Sequence, residues 1–190
     1  MRLNRAILIL LATTMVTGTV AMTAADKKVA DKKVVVKKVV DNKEVAESIK
    51  KGVAWVKSQQ KPDGSFWPTK QYPLGYTALA TYALLSCGES ANSEHIKKAF
   101  AQLIDERGYP KTKRVYTLGL LASALHLAAI ENKSYEKPLR NLSSALIRYH
   151  AKGAYGYEIP WKPNDKHNPL HVSTSQYGIL GVWAGMSANP

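Results

Sequence analysis

Cysteine is almost missing from this chain: Cys87 is the only one in 190 residues. That excludes an intramolecular disulfide, so packing alone must hold the fold. Cys87 also lies far from the amino terminus, which excludes a lipoprotein attachment site near the start. A long unbroken apolar run is absent too. The stretch from Ala6 is interrupted by Thr13, Thr14, Thr17, Gly18 and Thr19, which suits a membrane span poorly. Carboxylates are scattered: Asp63, Asp105 and Asp165 each stand apart from other Asp. The basic residues match no recognised nucleic-acid-binding motif, so we expect no nucleic-acid partner. No pattern calls for a cofactor or a metal.

What is present begins with charge. The net charge is +13, but it is unevenly placed. Arg2 and Arg5 precede the apolar core AILILLATTMV, and Thr23-Ala24-Ala25 supplies small residues where a signal peptidase reads. Residues 1–25 are therefore expected to be an export signal cleaved after Ala25, with the protein periplasmic or secreted. Residues 26–43, DKKVADKKVVVKKVVDNK, hold seven Lys against three Asp. Their lysine pairs recur every five residues, which matches neither helix nor strand, and they read as a solvated Lys/Val-rich linker. Residues 44–190 keep 18 basic and 11 acidic residues and are only mildly basic.

From residue 44 the chain repeats. IKKGVAWV at 49 is echoed by IKKAFAQL at 96 and more weakly by LRNLSSAL at 139. Each is an amphipathic helix, with apolar faces Val45, Ile49, Val53, Val56; Ile96, Phe100, Leu103; and Leu139, Leu142, Leu146, Tyr149. Between and after them lie YTALATYALLSC, VYTLGLLASALHLAAI and QYGILGVWAGM, which carry almost no charge. A helix apolar all round is buried all round. The order predicts an all-α domain over 44–190 built of about three helical hairpins, with a period of roughly 45 residues. Gly119, Gly178, Gly181 and Gly185 cost helix propensity, so they belong where backbones approach closely.

The stretch KGVAWVKSQQKPDGSF, residues 51–66, runs from a helix into a turn. It resembles the QW motif of the squalene–hopene cyclase and prenyltransferase repeat families. Lys51, Gly52, Trp55, Gln60, Gly64 and Phe66 fill the pattern, with Phe66 in place of its final Trp and Trp67 following. Arg107-Gly108-Tyr109 and Lys152-Gly153-Ala154-Tyr155-Gly156-Tyr157 look like degraded copies. The resemblance implies that the Gln amide ties neighbouring helix ends and that the motif is structural. It also implies an α/α toroid, with the apolar helices as inner ring and the amphipathic ones as outer ring. Three hairpins would be half of such a ring; an open α-solenoid of the same hairpins is the alternative.

The resemblance brings chemistry to test. The cyclases use an Asp-x-Asp-Asp acid, and the prenyltransferases bind zinc through Asp, Cys and His; neither set occurs here. SCGES at 86–90 resembles the thioester GCGEQ of complement-like toroids, but Ser90 replaces the Gln that would form the bond. Cys87-Gly88 reads instead as a helix end with Gly at the left-handed cap. His126, set among apolar residues, reads as a hydrogen-bonded core histidine. His167 and His171 flank Pro169, which argues for a loop rather than a metal site. The loop 152–172 carries Tyr155, Tyr157 and Trp161, whose rings either close a cavity mouth or pack on helix ends. With no catalytic residue to assign, the reading is an exported non-catalytic binding or scaffold module. Its concave side would take an apolar, glycan or peptide ligand, with Tyr76, Tyr116, Trp161, Gln176 and Tyr177 at the cavity mouth. The alternative is a terpenoid-cyclase-like enzyme whose catalytic half is missing. The exposed apolar helix near the end predicts either self-association or a missing C-terminal half that completes the ring.

Overall fold

The computed structural model describes residues 42–69, 72, 74–163 and 165–188, so the predicted signal segment and nearly all of the predicted linker lie outside the described residues. Six helices follow in order: α1 Asn42–Ser58, α2 Gly75–Ser86, α3 Glu94–Leu103, α4 Val115–Glu131, α5 Glu136–Tyr149 and α6 Val172–Ala188. A single 3-10 turn, Lys133–Tyr135, joins α4 to α5. The fold is all-α, with three helical hairpins of the toroid type, and the described residues contain no strand.

The amphipathic pattern decides which face each outer helix buries. On α3, Ile96, Ala99, Phe100 and Leu103 are buried, a spacing of three and four that keeps them on one side. Ser93 caps α3, its hydroxyl accepting from the Ile96 N–H at 3.4 Å, and Glu94 in the first turn complements the helix dipole. On α5 the buried stripe is Pro138, Leu139, Leu142, Ser143 and Leu146, while Tyr149, predicted for the same face, is exposed in the last turn. Helix α1 departs further. It is helical from Asn42, the first described residue, to Ser58. None of its residues is buried. Val53 and Val56 reach the core, whereas Val45 and Ile49 remain exposed.

The apolar helices α2, α4 and α6 lie side by side, with α4 between the other two. Only α4 approaches the all-round burial predicted for them, with ten buried residues. On α6 burial is confined to Thr174, Gly178, Gly181 and Ala184, and Ile179, Leu180, Trp183 and Met186 are exposed. The reason is geometric: among the described residues α6 packs chiefly on α4 and α5. The close approach expected of the glycines is present. A side chain at Gly119 would collide with the backbone of Tyr177, and one at Gly181 would strike Leu146 and come within 3.5 Å of the Gly119 Cα.

Gly88 ends α2 as predicted. Its φ is +89°, the Gly88 N–H donates to the Leu85 carbonyl and the Glu89 N–H to the Leu84 carbonyl, a Schellman cap. Glu89 then accepts two 3.0 Å hydrogen bonds from the Lys57 ammonium, joining α1 to the end of α2. Burial pushes the Glu89 carboxyl up, but Lys57, with the Ser93 hydroxyl, outweighs it and holds the group below the usual glutamate range.

Candidate functional site

The QW-like stretch assembles around one amide. Gln60 donates from Nε2 to the Gly64 carbonyl at 3.1 Å and to the His95 carbonyl at 2.8 Å. Its Oε1 lies 2.6 Å from the His95 Nδ1. One side chain thus closes its own turn and grips the first turn of α3. Gly64 holds φ +91°, and a Cβ there would collide with the Lys98 backbone, so the turn admits glycine alone. Asp63 braces it: the Ser65 N–H, then the Ser65 hydroxyl, hold its carboxyl below the usual aspartate range. Phe66 is fully buried, and its N–H donates to the buried Thr77 hydroxyl at 3.0 Å, fastening the turn to α2. Trp55 joins indirectly, exposed but stacked on Trp67 at 5.5 Å. Lys51 and Gly52 are not brought in; both are exposed on α1, and nothing lies within 4 Å of where a Gly52 side chain would begin.

The same turn recurs at Gly108, 44 residues on, and at Gly153, a further 45, positive φ returns in a tighter two-residue turn between Ala151 and Ala154. In the second copy the tie comes from the opposite direction: Asn141 on α5 donates to the Gly108 carbonyl at 3.1 Å. A further tie went unread in the sequence. Glu131, at the end of α4, accepts from the Ser90 hydroxyl, the Ala91 N–H and the Asn92 amide. Those bonds, Ser90 first, hold its carboxyl below the usual glutamate range. Ser90, the residue at the thioester position, is therefore a structural donor.

At the amino-terminal ends of the apolar helices the tyrosines converge. Tyr116 lies edge-on to Tyr177 at 5.0 Å and beside Tyr157 at 6.4 Å, and Tyr157 lies 4.8 Å from the His171 ring. The Tyr116 and Ser173 hydroxyls are 2.6 Å apart. Tyr76 meets Tyr72 edge-on at 6.5 Å. Trp161 stands elsewhere: its indole N–H donates to the Asn168 carbonyl of its own loop. Tyr155 is buried, its hydroxyl donating to the Leu146 carbonyl and its ring filling the space that Gly178 leaves open. The loop thus divides its aromatics: Tyr155 packs on helices, Trp161 steadies the loop, and Tyr157 joins Tyr116.

A cavity of about 440 Å³ opens on the face shared by α4 and α6. Leu120, Leu127 and Leu180 give it an aliphatic lining, and Tyr82, Tyr177 and Trp183 supply rings. Ser123, His126 and Gln176 are its polar groups, and no carboxylate lines it. Gln176 and Tyr177, two of the residues expected at a cavity mouth, both line this cavity. The expectation for His126 needs correction. It is half-buried at the cavity, and its buried Nδ1 has no hydrogen-bond partner among the described residues. The nearest hydroxyl on the helix, that of Ser123, is committed to the Gly119 carbonyl. His167 and His171 lie in non-helical chain, and no group of three metal-ligating side chains occurs among the described residues.

A family description, the squalene-hopene cyclase N-terminal domain, matches residues 13–130, more than half of the chain. The match takes in α1 to α4 and begins within the segment that reads as an export signal. No curated protein and no solved structure matches. With the alternation of amphipathic and apolar helices and the recurring glycine turns, this match assigns the chain to the squalene-hopene cyclase N-terminal domain family.

Proposed function

We propose that the protein is an exported, non-catalytic binding module that holds an apolar ligand in the cavity between α4 and α6. The observation that carries this reading is the lining itself: leucines and aromatic rings around about 440 Å³, with three polar side chains and no carboxylate. Ligand pockets are typically of this kind, mostly apolar with a few polar groups that fix orientation. A strong Brønsted acid, which cyclisation of a polyprene requires, has no candidate in this lining. Gln60, Gly64 and Phe66 serve as a QW-type structural clasp that holds the hairpins in register.

The test is binding of a neutral hydrophobic dye such as Nile red by the purified protein. Ser123→Phe, which fills the cavity from α4, is expected to weaken binding about tenfold, equivalent to about 1.4 kcal/mol, while circular dichroism stays unchanged. Equal binding by the variant would overturn the site. Incubation with squalene is expected to return it unchanged; a cyclic product would establish the enzymatic reading instead. Export is checked by sequencing the amino terminus of the mature protein, expected at Asp26.

A further inference from the structure

A second cavity lies at the amino-terminal end of α4, with a lining that shares no residue with the apolar one. It is a slot of about 270 Å³ lined by Tyr72, Arg114, Tyr116, Thr117 and Tyr157. A polar cleft of about 460 Å³ adjoins it, sharing Arg114 and Tyr157 and adding Lys113, Glu158 and Lys162 among others. The two shared residues are held rigidly. The Val115 N–H donates to the Tyr157 carbonyl at 2.8 Å and the Ile159 N–H to the Lys113 carbonyl at 3.0 Å. Arg114 and Glu158 therefore face each other across a short antiparallel bridge.

Among the described residues of the slot Arg114 alone carries a permanent charge, and its partner is weak. The guanidinium reaches Glu158 at 3.7 Å, with both side chains well exposed. Exposed pairs of that kind add little stability. A guanidinium is built to take a carboxylate through two parallel hydrogen bonds, which this contact does not provide. The rings of Tyr72, Tyr116 and Tyr157 line the slot with it, a lining suited to a partner that is apolar on its ring face and charged at its rim. In the cleft, Lys113 and Lys162 add two positive charges beyond Arg114, against Glu158 and the carboxylate of Asp165. We propose that the slot and cleft together bind an acidic oligosaccharide, with one sugar ring against the tyrosines and its carboxylate displacing Glu158 from Arg114.

The exchange makes an unusual demand: removing the native carboxylate must improve binding. The experiment titrates the full chain with trigalacturonate, and with maltotriose and benzoate for comparison, by calorimetry. Trigalacturonate is expected to bind, and Arg114→Gln to weaken it about tenfold or more, the loss of a hydrogen-bonded charge pair. Glu158→Gln is expected to tighten it several-fold, about what release of an exposed ion pair allows. Maltotriose is expected to bind weakly and to ignore both substitutions. Both changes are on exposed side chains, and thermal melting confirms that the variants fold. Absence of trigalacturonate binding, equal binding of maltotriose, insensitivity to both substitutions, or benzoate binding as tightly as the trisaccharide would each overturn the proposal.

Discussion

Gln60 shows how much one side chain can decide. Its amide meets two backbone carbonyls and an imidazole, from two different helical hairpins. Truncation to alanine would leave the half-buried His95 and Gly64 carbonyls without their donor, at a cost of about 1–3 kcal/mol. We predict that loss for Gln60→Ala, read from the midpoint of chemical denaturation; a change within the roughly 0.5 kcal/mol typical of neutral surface substitutions would show that the clasp is idle. Gln60, Gly64 and Phe66 were legible in the sequence because the turn that joins them is local. Glu131 and Asn141 were not, since their partners lie about forty and thirty residues away and nothing nearby marks them. Trp161 misled for a related reason. A large ring invites a place in a binding site, but its indole N–H found an acceptor seven residues on, within its own loop.

At the scale of helices, the glycines separate propensity from packing. Gly52 and Gly119 are both interior helical residues, and on an isolated helix alanine would improve either one. Gly52 faces open space, whereas a side chain at Gly119 meets the Tyr177 backbone, which cannot yield as a flexible side chain would. The two substitutions should therefore have opposite signs. Gly52→Ala is expected to stabilise by about 0.5–1 kcal/mol, and Gly119→Ala to destabilise by about 1–3 kcal/mol through overpacking. Thermal melts of the two variants side by side check this, and a stabilising Gly119→Ala would contradict the contact between α4 and α6. The alternation of helix types was readable from charge alone, since charge cannot be carried into an interior. What charge could not supply was the number of neighbours each helix finds, so α6 reads as buried although only a stripe of it is.

For the molecule as a whole, that stripe has a consequence for association. Ile179, Leu180, Trp183 and Met186 fall on one side of α6 and are all substantially exposed. Soluble monomers seldom leave so continuous an apolar strip in water. The purified chain is expected to self-associate as its concentration rises, and Ile179→Lys combined with Met186→Lys to reduce that association. Sedimentation velocity distinguishes the outcomes; a parent chain that stays monomeric at high concentration would refute the expectation. The sequence carried the order and pairing of the hairpins, because each packs mainly on its neighbours in the chain. It could not carry which outer surface stays uncovered, which depends on partners beyond the repeats themselves.

Helix α1 has no buried residue, and its carboxyl end meets the rest through Val53, Val56 and the Lys57–Glu89 pair. Such a helix need not wait for the domain to unfold before it opens. Its amides are expected to take up deuterium long before those of α4, which has ten buried residues where α1 has none. The opening has a limit, however. Past Ser58 comes Gln60, fixed to α3, and an opening that begins in α1 must break that clasp before it spreads to the hairpins beyond. From α1 to α4 the protein therefore carries an early-exchanging helix, a latch and a slow-exchanging interior.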